Sequence, residues 1–330
     1  QYITSINELD ATLSFKAIEN SYLDPLKGLV ASSIITTYDE QGGGFEEKQK
    51  VDYTSYDIYG NAIGQNVTAL TESDAVLDFK TIENIYSGIN QIRGWTESSV
   101  IETYDTDDEA VRELVEKQEI EYQAYDDYGN AETQNILSYG SGGELLSYKE
   151  ITNTYSGVDQ IRGWTGSTTV ITYDNSSVSK QFVEKQTIDF ATYDDYGNAL
   201  MQSITSFNEA NDILSYKEIE NESHLDAIIG LVEKSIITTY DNAEDRNFAS
   251  KQEIFYSNYD LYGNAENQQI RSLDSEDKLI SFREISNKYL DPIKGWIDYS
   301  EIFTYADDAK NEQASHQYID YTTYDAWGNA

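Results

Sequence analysis

One seven-residue phrase returns five times in this chain of 330 residues, and it constrains the fold more than any other feature. It reads YDIYGNA from Tyr56, YDDYGNA from Tyr125 and again from Tyr193, YDLYGNA from Tyr259 and YDAWGNA from Tyr324. The starts are 65 to 69 residues apart, which divides the chain into copies at 1–62, 63–131, 132–199, 200–265 and 266–330. Such a period marks a repeat array, in which each copy is one supersecondary unit leaning on its neighbours. A unit this short, with only a few brief apolar stretches, buries too little surface to stand alone, so the copies are expected to share a core.

Alignment of the copies predicts four extended segments in each. The first follows the phrase: Gln1 to Ile6, Gln65 to Leu70, Gln134 to Tyr139, Gln202 to Phe207 and Gln268 to Leu273. The second begins at Leu13, Leu77, Leu146, Leu214 and Ile280, and a connector after it ends at Gly28, Gly94, Gly163, Gly230 and Gly295. The third closes at Tyr38, Tyr104, Tyr173, Tyr240 and Tyr305, and the fourth leads into the phrase. Ile, Val, Thr, Tyr and Phe dominate these segments, and turn residues bound them, which suits strands. In the fourth segment of the second copy Gln118, Ile120, Tyr122 and Ala124 alternate with Lys117, Glu119, Glu121 and Gln123. That alternation predicts antiparallel sheet with one buried and one wet face.

The phrase then reads as a turn. Asp57, Asp126, Asp194, Asp260 and Asp325 can close a turn through their own carboxylates. Gly60, Gly129, Gly197, Gly263 and Gly328 supply positive φ without a steric penalty. An aromatic always precedes that Gly, at Tyr59, Tyr128, Tyr196, Tyr262 and Trp327, and is expected to cover the next layer. A tight hairpin here joins the fourth strand of one copy to the first of the next. The expected fold is therefore all-β, an open elongated array with four antiparallel strands per copy; a five-bladed propeller is the alternative. Gln1 stands in register with Gln65, and Ala330 ends a phrase, with no atypical capping repeat at either end. A longer array, or head-to-tail docking on neighbouring repeats or identical chains, is the expectation.

Composition excludes several function classes. Sixty acidic against 22 basic residues give a net charge of −38, which disfavours nucleic acid and anionic membrane surfaces as partners. There is no Cys, hence no disulfide framework, and no apolar run approaches a membrane span. His224 and His316 occupy unrelated places in their copies, and carboxylates are too numerous for any pair to signal an acid–base centre. No catalytic group and no cofactor is expected. Calcium is the one metal with candidate ligands, Asp105, Asp107, Asp108 and Glu109 after the third strand of the second copy, although their spacing matches no established loop. Trp95, Trp164 and Trp296 follow the connector Gly, but Leu29 and Leu231 replace them in other copies, as a packing position allows and a sugar platform does not.

The phrase resembles the YD repeat of the RHS, wall-associated and teneurin-like family, a Tyr-Asp pair followed shortly by Gly. The matching positions are Tyr56, Asp57 and Gly60, then Tyr125, Asp126 and Gly129, Tyr193, Asp194 and Gly197, Tyr259, Asp260 and Gly263, and Tyr324, Asp325 and Gly328. Asn61 and its counterparts stand where that family usually has Arg, and the copies here are longer than the family's. The resemblance implies β-hairpin arrays on bacterial surfaces, or shells around toxic cargo. The whole reading is a non-enzymatic extracellular structural repeat protein: a segment of a surface fibre, sheath or giant adhesin. A carbohydrate-binding adhesin or propeller module on cell-surface glycans, and an RHS-type encapsulating shell, are the alternatives.

Overall fold

A computed structural model describes residues 1–6, 12–38, 44–174, 180–226, 230–241, 245–260, 263–291, 295–322 and 324. They form twenty strands and two short helices. Copy 1 holds β1 (Tyr2–Ile6), β2 (Thr12–Asp24), β3 (Leu29–Tyr38) and β4 (Phe45–Tyr56). Copy 2 holds β5 (Ala62–Leu70), β6 (Val76–Ile85), β7 (Ser98–Tyr104) and β8 (Leu114–Tyr125), with α1 (Gly88–Arg93) before β7. Copy 3 repeats this with β9 (Ala131–Gly140), β10 (Leu145–Thr154), α2 (Gly157–Arg162), β11 (Ser167–Asp174) and β12 (Gln181–Tyr193). Copy 4 follows with β13 (Ala199–Phe207), β14 (Ile213–Asp226), β15 (Leu231–Tyr240) and β16 (Phe248–Tyr259). Copy 5 ends the series with β17 (Ala265–Leu273), β18 (Leu279–Asp291), β19 (Trp296–Tyr305) and β20 (Gln313–Asp320).

The chain divides into two compact units, Gln1–Asn153 with Val170–Val183, and Thr154–Thr169 with Glu184–Ala330. In the first, β1 to β10 pair in chain order, every ladder antiparallel. In the second, β12 to β20 do the same. The phrase thus lies between paired strands: Val51 of β4 faces Val67 of β5, and Ile120 of β8 faces Ile136 of β9. In the other unit Ile188 faces Ile204 and Ile254 faces Ile270 at the same place. Propeller blades are separate sheets, so ladders that continue across these boundaries within each unit set the propeller aside.

The fourth-strand alternation is visible in the ladders. Gln118 and Ile120 face Ile101 and Ser99, while Lys117 and Glu119 face Glu102 and Val100 on the other side. The register shifts between Tyr122 and Ala124, so the strict alternation stops one residue short of where the sequence places it. That bulge adds local twist just before the turn.

Two expectations are corrected. The connectors of copies 2 and 3 are six-residue helices, where the sequence predicts none. And neither sheet face is deeply buried: no large side chain is fully enclosed among the described residues, and both Ile120 and Glu119 are half-buried. The physical reason is that, among the described residues of each unit, a strand meets only the strands before and after it, so no second layer from its own unit covers either face. None of the described helices is long and apolar enough to cross a membrane.

Candidate functional site

The recurring phrase builds a joint whose parts recur in each described copy. Asp57 N–H donates to Asn61 O at 3.0 Å and Gly60 N–H to Asp57 O at 3.2 Å, closing a three-residue hairpin loop. The Asp57 carboxylate completes it: Oδ1 accepts from Tyr59 N–H at 2.9 Å and Asn61 N–H at 2.8 Å, and Oδ2 from the Asn61 amide at 2.8 Å. Gly60 has φ +90°, a type I turn followed by a left-handed residue, a common hairpin closure. The same bonds close the loops at Asp126 and Asp194, and the backbone and Asn264 bonds recur at Asp260, with Gly129, Gly197 and Gly263 at φ +93°, +94° and +83°. Asp325 and Gly328 lie outside the described residues.

The first Tyr of the phrase reaches from the end of the fourth strand to the start of the third. Its hydroxyl donates to a carbonyl in every copy: Tyr56 to Val30 O at 2.7 Å, Tyr125 to Thr96 O at 2.6 Å and Tyr193 to Thr165 O at 2.7 Å. Tyr259 bonds Val232 O at 2.7 Å and Tyr324 bonds Ile297 O at 2.6 Å. Each such bond contributes on the order of 1 kcal/mol. Burial pushes the Tyr125 phenol up to about 12, helped by Tyr122 and Tyr86, and burial with Tyr256 does the same at Tyr259.

The residue after the connector Gly covers the joint. In copies 2 and 3 the helix ends in a Schellman motif, Gly94 and Gly163 at φ +75° and +76°, with Trp95 N–H bonded to Asn90 O and Trp164 N–H to Asp159 O. This fixes Trp95 at 5.3 Å from the Tyr125 ring and Trp164 at 5.3 Å from Tyr193. It also places the indole on the turn itself: a Cβ at Gly129 or Gly197 would stand 2.7 Å from the Trp Nε1. In copies 1 and 4 Leu29 and Leu231 fill the same place, 3.5 and 3.4 Å from the equivalent Cβ positions. The Trp and Leu exchange is thus a packing choice against one turn glycine.

The phrase of copy 1 also grips the next connector. The Asn61 amide donates to Gln91 O at 2.6 Å, and Gln91 Nε2 donates to Asp57 Oδ2 at 3.1 Å. Burial draws the Asp57 carboxyl upward, but the bonds from Asn61, Gln91 and Tyr59 outweigh it and hold the pKa below its ordinary value. Asp194 is lowered in the same way, by Asn198, Tyr196 and the nearby His224 against burial. At Asp57 and Asn61 the phrase therefore ties three elements: its own hairpin, the third strand behind it and the connector ahead.

A recurring Asn on the second strand escaped the sequence reading. Asn84, Asn153, Asn221 and Asn287 donate to the carbonyl of the phrase alanine, at Ala62, Ala131, Ala199 and Ala265, over 2.8 to 3.2 Å. Ser33, Ser99, Ser235 and Ser300, all buried, donate to the side-chain oxygen of Asn20, Asn84, Asn221 and Asn287 at 2.7 to 2.8 Å. The signal was present as an Asn at one position in all five copies.

At the other end of the strands a cation just before the fourth strand pairs back to the second strand. Lys180 pairs with Glu150 at 2.6 Å and lies 4.3 Å from the Tyr148 ring centre. Arg246 pairs with Glu218 at 2.9 Å over Tyr216, and Lys310 with Glu284 at 2.6 Å near Phe282. In copy 2 Thr81 replaces that Glu, and Arg112 sits 4.4 Å over Tyr104.

The calcium candidates lie in the loop after the third strand of copy 2. Asp105 Oδ1 accepts from Glu113 N–H at 2.8 Å and Asp108 Oδ1 from Ala110 N–H at 3.0 Å, so both close the loop on itself. Asp107 and Glu109 are exposed. Among the described residues no three His, Asp or Glu side chains converge as a metal set.

No family model matches the chain, and no curated protein does. Solved structures with some likeness include a Photorhabdus luminescens Tc holotoxin pore, at 10% identity and TM-score 0.17 over 98% of this chain and 21% of that one. The TcdB2–TccC3 complex scores 0.16 at 9% identity over 99% of this chain and 26% of that one. The same complex without its hypervariable C-terminal region scores 0.17 at 10% identity, covering 99% and 21%. The chain spans about a fifth to a quarter of those proteins' length, at scores where a likeness fixes neither fold nor function.

Proposed function

We propose that this chain is a non-enzymatic structural segment of an extracellular repeat array, whose work is to hold a sheet together across copy boundaries. The observation that carries the reading is the joint at the phrase. Its Asp, Gly, Asn and Tyr are all engaged in closing one hairpin and binding it to neighbouring strands and connectors. Residues that recur five times are thus accounted for by mechanics, with no reactive group left over among them. A net charge of −38 suits a solvated surface at the cell exterior.

Partners follow from register. Val51 facing Val67 has counterparts at every described boundary, and Ile319 and Ile3 occupy the same positions on β20 and β1. Neighbouring repeats, or identical chains joined head to tail, would extend the ladder by the same pairing. A wall-like use, as in an encapsulating shell, is the second reading, supported by a sheet that is one layer thick among the described residues of each unit. Excision of one period, residues 63–131, tests the structural reading. The shortened chain should fold with its remaining joints protected from hydrogen exchange; loss of all protection would refute modular mechanics.

A further inference from the structure

The two faces of the sheet differ in how their charges are used. Lys16, Lys80, Lys149, Lys217 and Arg283 stand at one position of the second strand in every copy. Within each unit the ladders put them on the face that carries the Ile rows. Lys80 lies between Val67 and Thr103, Lys217 between Ile204 and Thr239, and Arg283 between Ile270 and Thr304. Lys16 lies beside Ile3 and Thr37, and Lys149 beside Ile136. Lys16, Lys149 and Lys217 are exposed.

Among the described residues none of these five makes an ion pair, a side-chain hydrogen bond or a ring contact. Every other described Lys or Arg except Lys278 has one: Lys48, Lys117, Lys180, Lys251 and Arg271 pair with carboxylates, and Arg93 and Arg162 lie over Trp rings. The contrast is sharpest in the second unit. There the rows that cross the middle of β14 to β19 on this face hold Lys217 and Arg283 and no Asp or Glu, whereas the opposite face carries Glu218, Glu220, Glu253, Glu284 and Glu301. In a chain of net charge −38, a cation kept at one place in every copy without an internal partner is a contact awaiting an external one.

From this column we infer that the Ile-bearing face is a lateral docking surface for the acidic loops of a second copy of this chain. Charge selects an anionic occupant, and spacing selects which one. Within each unit the cations recur every four strands, about 19 Å across the sheet, and a partner of any other period would drift out of register. A second copy has the same period by construction, and its loops after the third strand carry acids in step: Asp107 and Asp108, Asp241 and Asp245, Asp307 and Asp308. Exposed Ile3 and the half-buried Val67, Ile204, Thr103, Thr239 and Thr304 beside these cations supply apolar area that the same contact would cover. The inference rests on the face assignment from the ladders and is independent of head-to-tail extension.

Sedimentation velocity of the 330-residue chain, up to about 100 μM in about 150 mM salt, tests it. The wild type should self-associate reversibly. Combining K80E, K149E, K217E and R283E should weaken that association roughly tenfold or more, since each exposed pair becomes a repulsion. A loop variant with Asp107, Asp108, Asp241 and Asp307 changed to Lys should lose self-association too, and a mixture of the two variants should associate again. Circular dichroism confirms that each variant is folded. A wild type that stays monomeric, or association indifferent to the column, overturns the surface. A mixture that fails to recover overturns the second copy as its occupant.

Discussion

Gly129→Ala and Gly60→Ala look like the same substitution, yet the structure predicts different costs. Both glycines sit at positive φ, +93° and +90°, where an L side chain costs about 1–3 kcal/mol. They differ in what a Cβ would meet: at Gly129 the Trp95 Nε1 at 2.7 Å, at Gly60 the Leu29 Cδ2 at 3.5 Å, which is ordinary contact. Overpacking of that first kind adds about 1–3 kcal/mol, because Trp95 is fixed by its Schellman motif and cannot retreat freely. Gly129→Ala should therefore exceed Gly60→Ala by about 2 kcal/mol in urea unfolding, or in local hydrogen exchange where unfolding is not two-state. Trp95→Leu gives copy 2 the residue copy 1 has, so in the Gly129→Ala background it should remove most of the excess, a coupling of about 1–2 kcal/mol. Equal losses at the two glycines, or no coupling to Trp95, would refute close approach as the reason for Gly129.

Three further outcomes follow from the joint and its surroundings. Asn84→Ala leaves the Ala62 carbonyl and the buried Ser99 hydroxyl short of a partner and should cost about 1–3 kcal/mol, read as lost exchange protection in β5 to β7. The Tyr125 and Tyr259 phenols, at about 12 in the fold and near 10 unfolded, contribute stability that is complete below about pH 10 and lost as pH rises toward 12. Tyr125→Phe should lower stability at neutral pH yet flatten that alkaline loss. Asp57 and Asp194 carry the opposite sign: their lowered values stabilise above the ordinary carboxylate pKa, and acid titration should remove that part as pH falls through the folded values, a step Asp57→Asn diminishes. Lys180→Ala removes the tie to Glu150 and Tyr148 and should cost about 1 kcal/mol or less, with faster exchange confined to β10 and β12.

The turn at the phrase was legible because Asp57, Gly60 and their counterparts act locally: a carboxylate closing its own loop and a glycine at positive φ need no tertiary context. Strand faces were legible for a similar reason, since alternation at Gln118, Ile120 and Tyr122 is the pleat itself. The connectors were not, because α1 is six residues long, less than two turns, and its Ile89 and Ile92 are exposed, so no helical period is written in the chain. Nor was the function of Asn84, whose partners Ala62 and Ser99 lie 22 residues before it and 15 after it. Burial was misjudged at Ile120 because alternation reports which side a residue faces and not whether anything covers that side.

Continuity of the ladder across the phrase is the claim on which the rest depends, and a chain without Cys allows a clean test of it. Val51→Cys with Val67→Cys places two thiols on directly opposed residues, whose Cα atoms in an antiparallel pair are about 4.5–5.5 Å apart, within disulfide range. Oxidation of the folded protein should join them rapidly and nearly completely. The control pair Val51→Cys with Leu70→Cys, three residues out of register, should stay reduced. A slow or absent bond at Val51 and Val67, or an equally fast one in the control, would contradict the hairpin joint.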